Sequence, residues 1–277
     1  MDKSIFNFKI QYKDGSIIDL HEDKNLWVSS FHIPSPSPEH ITEKIDGRHG
    51  SVLLETILQE RKIHASFTIE SIDPMDFDLF RDELFKIFNP LVKFYIIRDL
   101  QPKKRMEVSV SSEFDIDYLS LEDGEFSIDF VIHSVFLESV GKTLDPFTFD
   151  AELWQVGQGL VAEDLIYAHN TTSFRIFNAG DVAIDPREYP LVIKYQGAST
   201  NLKIKNETTG EEWSINDSTE VNDTLTLNGI RSLKNGVSVF GKTNKKLITI
   251  ASGWNDFTLT GTSGSFLISF DFRFYYF

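Results

Sequence analysis

Chemistry needs reactive side chains at workable spacing, and this sequence offers few. Seven histidines stand at positions 21, 32, 40, 49, 64, 133 and 169. No two share a His-x-His or His-Glu-x-x-His spacing, the arrangements that hold a catalytic zinc. Cysteine is absent, which removes thiol nucleophiles, zinc-thiolate sites, iron–sulfur clusters and disulfides. There is no Gly-x-Ser-x-Gly elbow for an activated serine and no EF-hand run of Asp and Asn closing on Glu. The 42 acidic residues leave a glycosidase pair open by count alone, since such pairs acquire meaning only from their separation in space. The reading is therefore a protein that is not an enzyme, with no catalytic residues, no metal site and no cofactor.

Charge narrows the partners. Against 42 acids stand 27 Lys and Arg, a formal net charge of −15 with pI near 4.9. Proteins that grip nucleic acid or anionic lipid concentrate Lys and Arg instead, so neither specific nucleic-acid binding nor a membrane surface is expected. No apolar run approaches the roughly 20 residues of a membrane span, and the opening residues lack the apolar core of a signal peptide. The 24 Phe among 277 residues favour β-rich cores, because aromatic side chains suit strands and bury large areas.

The elements that would carry any site are mostly short alternating runs. Phe6 to Ile10, the turn at Asp14-Gly15 and Ile17-Ile18 predict an opening hairpin. Leu26 to Phe31 predicts a strand. Pro34, Pro36 and Pro38 then predict an extended surface connection with few ladder donors. Gly47-Arg48-His49-Gly50 follows as a turn or bulge before a strand from Val52; its alternative role is to present Arg48 to a neighbouring subunit. One helix is predicted over residues 74–89. Asp73 caps it, Pro74 suits its first turn, and Phe77, Phe80, Leu84 and Phe88, widened by Leu79 and Ile87, make an apolar stripe for a sheet. A β-meander follows, with a basic turn at Lys103-Lys104-Arg105 and a hairpin turn at Asp123-Gly124.

A punctuated stretch over 140–160 suggests a junction. The domains are set at 1–146, a β-sandwich or meander domain with one packed α-helix, and 147–277, a β-sandwich. Formal charge divides as −11 and −4 across that boundary, so the acidity lies mainly in the first half. The second half shows seven or more short strands with turns between them, the signature of a sandwich rather than a parallel sheet. Its four Asn-x-Ser/Thr matches read as polar loop composition. Trp27, Trp154, Trp213 and Trp254 either fill cores or form a platform for stacking sugars.

The run Phe174-Arg175-Ile176-Phe177-Asn178-Ala179-Gly180-Asp181-Val182, with Pro186, Leu191-Val192-Ile193 and the later hairpin Asn201 to Gly210, resembles the distal tail proteins of long-tailed phages of Gram-positive bacteria. The order of elements in the first half agrees with that family. The resemblance implies a galectin-like second domain and a first domain that closes into a homo-hexameric ring. The ring would join the tail tube protein to a tail-associated fibre or lysin protein, with a receptor-binding protein as a further partner, and let DNA pass. The location implied is the distal tail tip of the virion, after synthesis in the host cytoplasm. Gly47, Arg48, Lys103, Lys104 and Arg105 are the candidate subunit-interface residues; Phe174, Asn178, Gly180, Asp181 and Pro186 are the structural motif. The rival reading is a carbohydrate-binding or adhesin-type β-sandwich acting on cell-wall glycans.

Overall fold

The computed structural model describes residues 3–148, 151–160 and 165–277. It is mainly β, as expected, and divides into two compact units, residues 1–137 with Phe277, and residues 138–276. The division falls between Leu137 and Glu138, so residues 138–146 pack with the second unit. There Ser139 N donates to Phe274 O at 2.8 Å and Thr143 N to Phe272 O at 3.0 Å.

The first unit contains β1 (Phe8–Gln11), β2 (Ile17–Asp19), α1 (Leu20–Lys24), β3 (Trp27–His32), β4 (Ser37–Glu43), β5 (Val52–Gln59), β6 (Arg61–Glu70), α2 (Pro74–Ile87), β7 (Phe94–Arg98), β8 (Lys104–Val110), β9 (Asp117–Tyr118) and β10 (Asp123–Ile132). An antiparallel sheet runs in the order β2-β1-β7-β8-β10-β6-β3. Its backbone is β6, where Ile63, Ala65, Phe67 and Ile69 are buried and alternate with polar residues. The period of two puts every second side chain on one face.

That face is roofed by α2. Asp73 caps it, its carboxylate accepting from Met75 N and Asp76 N at 2.8 Å. Phe77, Leu84, Ile87 and Phe88 are buried, each worth roughly 1.5–3 kcal/mol of transfer free energy. Phe88 sits 5.5 Å from Phe67 and 5.9 Å from Phe130, ring to ring. The expected stripe is corrected at Leu79, which is 71% exposed. Two residues past Phe77 it has turned roughly 200° around the axis, onto the opposite face. The Asp123-Gly124 turn is also corrected. Both residues already belong to β10, and the chain reverses at residues 119–122. Gly124 lies under α2, where a Cβ would stand 2.8 Å from the Phe77 ring.

Residue 137 begins β11 (Leu137–Ser139), which spans the division. The second unit continues with β12 (Ala168–His169), β13 (Ser173–Asn178), β14 (Leu191–Asn206), β15 (Glu211–Ser214), β16 (Ser218–Thr219), β17 (Thr224–Asn228), β18 (Arg231–Lys234), β19 (Val237–Ser238), β20 (Gly253–Phe272) and β21 (Tyr275–Tyr276). Two long strands organise it. β14 and β20 pair antiparallel along nearly their whole lengths, with register shifts after Gly197 and Ser199. Residues 192–196 of β14 pair on their other side with β17, and residues 203–206 with β15. The register shifts let one strand pair serve two stretches of sheet, as bulges bend a strand. Gly197 is required there, since a Cβ would meet Phe266 Cβ at 2.7 Å. The apolar alternation at Phe257 to Thr260 and at Phe266 to Phe274 predicts two strands where β20 is one, and that at Leu247 to Ile250 predicts a strand where only an isolated bridge, Ile184 to Ile250, forms.

Candidate assembly surfaces

The feature of the first unit with no counterpart in its core is an arm. β4 and β5 pair only with each other, from Ser37 opposite Gln59 to Glu43 opposite Val52. The proline-rich connection expected here is thus partly strand: Pro38 lies opposite Leu58. A two-stranded ladder leaves each strand one open side, where a missing N–H costs little. Along the arm Ile41, Leu53, Leu54 and Ile57 are between 39% and 58% exposed, and Glu39, Glu43 and Glu55 are exposed beside them. Gln59 donates to Glu39, and His40 Nδ1 lies 3.0 Å from Thr56 Oγ1.

The arm's root is fixed by Arg61, which no sequence signal marked. Its Nε and Nη2 donate to Pro34 O at 3.1 and 2.7 Å, and its Nη1 to Val135 O at 3.1 Å. One guanidinium therefore ties the residues entering and leaving the arm to the body of the unit. It is 6% exposed, and burial pushes its pKa down. A planar five-donor group satisfies several carbonyls at once, which a lysine cannot do.

The predicted interface residues occupy two separate places. Gly47 and Arg48 lie at the arm's exposed tip, where Arg48 N donates to Ile45 O at 3.1 Å. Gly47 and Gly50 have φ of +80° and +83°, with nothing within 4 Å of an added Cβ. Lys103 closes the turn between β7 and β8, whereas Lys104 and Arg105 are already in β8. Arg105 stacks 3.8 Å above the Tyr95 ring and donates to Gln11 Oε1 at 2.9 Å. All three are half-buried.

Beside them lies an ionic cluster. Lys3 Nζ is 2.9 Å from both Asp19 Oδ2 and Asp99 Oδ2, and Asn7 Nδ2 bonds Asp19 and Asp99 at 3.0 and 2.9 Å. Asp19 also caps α1. Burial opposes its ionisation, but the hydrogen bonds from Lys3, Asn7 and the Glu22 amide prevail and hold its pKa below the usual carboxylate value.

In the second unit the motif residues form a packing device. Asn178 is 1% exposed; its Nδ2 donates to Val182 O at 2.9 Å and its Oδ1 accepts from Gly180 N at 3.0 Å. Gly180 lies against the last strand, where a Cβ would meet Tyr275 O at 2.6 Å and Tyr275 N at 2.7 Å. Asp181 N donates to Tyr275 O at 2.8 Å. Phe174 stacks on His169 at 4.3 Å and lies parallel to Phe257 at 5.6 Å. Pro186 lines a small apolar cavity with Leu191, Trp213, Leu227 and Ile248. The hydroxyl of Ser232 on its wall accepts from the Trp213 indole at 3.2 Å.

Other chemistry finds no frame. Among the described residues no three His, Cys, Asp or Glu converge as metal ligands, and no helix is long and apolar enough to cross a membrane. A phosphate-loop spacing does occur, missed in the sequence, at Gly236 to Thr243 (Gly-Val-Ser-Val-Phe-Gly-Lys-Thr). Its frame is wrong: β19 leads into a 3-10 turn over Phe240–Lys242, not into a helix of useful length, whereas phosphate loops join a strand to a helix N-terminus. Lys242 is spent on Asp217 at 2.6 Å. The tryptophans form no common platform. Trp213 is buried, Trp154 stacks on Phe147 at 4.5 Å, Trp254 lies under Arg175 at 4.0 Å, and Trp27 belongs to the first unit.

Residues 13–132 match the phage tail protein RIFT-related domain. Over the whole chain the fold matches the solved structure of SPP1 Dit protein, described as a paradigm of the hub adsorption apparatus in Gram-positive-infecting phages. The TM-score is 0.70, at 12% identity, over 96% of this chain and 99% of that one. The chain has the fold of a phage distal tail protein. A chain of the phage p2 baseplate in its activated conformation with Sr aligns at TM-score 0.47 and 11% identity, covering 98% of both chains. No curated protein matches the sequence. The resemblance carried by Phe174 to Pro186 thus agrees with a fold match that reaches across both units.

Proposed function

We propose that this protein is a structural, non-catalytic subunit of a phage tail hub at the virion's distal tip. Six copies close into a ring through their first units. The ring joins the tail tube above to a tail-associated fibre or lysin protein below, with a receptor-binding protein as a further neighbour. The observation that carries this is the arm. A lone two-stranded hairpin is marginal in water, and this one leaves four large aliphatic side chains open to solvent. Such a surface suits burial against another molecule. The distal-tail fold supports a second copy as that molecule, and the net charge of −15 per copy suits a channel that passes DNA without holding it.

The test is solution mass. Light scattering across a concentration series is expected to show six-fold assembly of the wild-type chain. Replacing residues 37–59 by a short Gly-Ser link is expected to give a monomer whose remaining unfolding transition is unchanged. A wild-type chain that stays monomeric at every concentration, or an armless chain that assembles equally well, would sink the reading. Assembled rings are also expected not to retard duplex DNA at low salt.

A further inference from the structure

The sheet order of the first unit gives the arm a direction. The arm leaves from the β3–β6 end of the path, while β2, β1 and β7 form the other end. A closed ring needs a heterologous contact, in which each copy offers one surface to the copy ahead and a different one to the copy behind. The two ends also differ in charge. Residues 91–110 hold Lys93, Arg98, Lys103, Lys104 and Arg105 against Asp99 and Glu107, a net +3 in a chain of net −15. Residues 37–59 of the arm hold Glu39, Glu43, Asp46 and Glu55 against Lys44 and Arg48, a net −2. Both surfaces carry exposed aliphatic side chains, with Ile17 at 51%, Leu100 at 57% and Val92 at 40% on the flank.

We propose that the acidic arm of one copy seats on the basic β1–β7–β8 flank of the next, with its aliphatic residues against Ile17, Val92 and Leu100. This rests on the reading of the chain as a self-assembling ring subunit and names the receiving surface. The competing receiver is the outer face of α2, where Met75 is 81% and Leu79 71% exposed. Asp76, Asp78, Asp82 and Glu83 outnumber Arg81 and Lys86 on that helix, a net −2, so an acidic arm placed there meets like charge. Opposite potentials steer and register a contact, whereas like charges brought together suppress it. The flank is therefore the better receiver.

The absence of cysteine makes the test clean, because every introduced thiol is unique. Two single variants of the full-length chain are made, Glu43→Cys on the arm and Lys103→Cys on the flank, with Leu79→Cys on α2 as the competitor. A short bismaleimide linker is expected to join Glu43→Cys to Lys103→Cys in a mixture. It is expected to join neither Glu43→Cys to itself nor Glu43→Cys to Leu79→Cys. Independently, Lys103→Glu with Lys104→Glu is expected to raise the concentration needed for assembly at least tenfold. Adding Glu39→Lys with Glu43→Lys in the same chain is expected to recover most of that loss. If the wild-type chain never assembles, the ring reading fails and this inference with it. If it assembles but Glu43→Cys links to Leu79→Cys or to itself, or the charge reversals neither weaken nor rescue assembly, the ring reading stands and the receiving surface is wrong.

Discussion

Two glycine turns in this molecule look alike as sequence and differ in everything around them. At the arm's tip, Gly47 and Gly50 bracket Arg48 and His49 in open solvent, with no atom near enough to resist a side chain. At the motif of the second unit, Gly180 has Tyr275 backbone atoms within 2.7 Å of where a Cβ would go. The first turn owes its glycines to backbone conformation alone, because positive φ is strained for a residue with a Cβ. The second owes its glycine to contact, since its φ is not positive and the neighbouring strand fills the space. The family-like spelling at Asn178 to Asp181 therefore records how the second unit holds itself together. The surfaces suited to other molecules lie elsewhere, on an arm without a core.

The largest effect that would test this contrast is Gly180→Ala. The clash is with backbone, so the Tyr275 strand must move, and the hydrogen bond from Asp181 N to Tyr275 O moves with it. Overpacking of this kind costs about 1–3 kcal/mol, and the upper end is expected. The thermal transition of the second unit should fall while that of the first stays put, as read by scanning calorimetry on the full chain. An unchanged second transition would mean that the close approach is not needed.

A middle-sized effect is expected at Asp19, whose carboxylate joins the start of the chain, α1 and the turn after β7. Its folded pKa is held below its unfolded value, so its contribution to stability is complete above about pH 4 and is lost as the pH falls through the folded value. Asp19→Asn keeps a side-chain cap but removes the charge that meets Lys3. It is expected to cost about 1–2 kcal/mol near neutral pH and progressively less as the pH falls through the folded value. Denaturant melts of wild type and variant at several pH values should therefore converge in acid. Parallel curves would show that the Lys3 contact is worth nothing.

What the sequence disclosed follows from which forces act locally. The cap, proline and Phe spacing of α2 are near-neighbour signals, and so are the turns of the second unit. Those elements appeared where expected. β6 carries a local signal too, since Ile63, Ala65, Phe67 and Ile69 alternate with polar residues, although no strand is predicted there. The arm is a different matter. The apolar run Val52-Leu53-Leu54 with Ile57-Leu58 is what a buried strand would show, and nothing local says that neither face meets a core. Three prolines also argued against pairing; Pro34 and Pro36 do precede the ladder, but Pro38 is tolerated in it because the ladder is only two strands wide. Arg61 could not be found from spacing, since its partners Pro34 and Val135 are 27 and 74 residues away.

The smallest expected effect completes the comparison. Gly47→Ala puts a Cβ into empty space, so no packing is disturbed, but at φ +80° the backbone is strained by about 1–2 kcal/mol. That strain falls on a hairpin whose tip can open without exposing any buried residue. Global unfolding of the isolated chain, measured by denaturant melts at low concentration, should therefore shift by less than about 0.5 kcal/mol, within the range of ordinary surface substitutions. In a ring built as proposed, the tip would be held against its receiver and could not relax. The same substitution should then weaken assembly severalfold while leaving the monomer's stability untouched. A large loss of monomer stability would instead show that the arm folds back on its own unit, and the contrast between the two glycine turns would collapse.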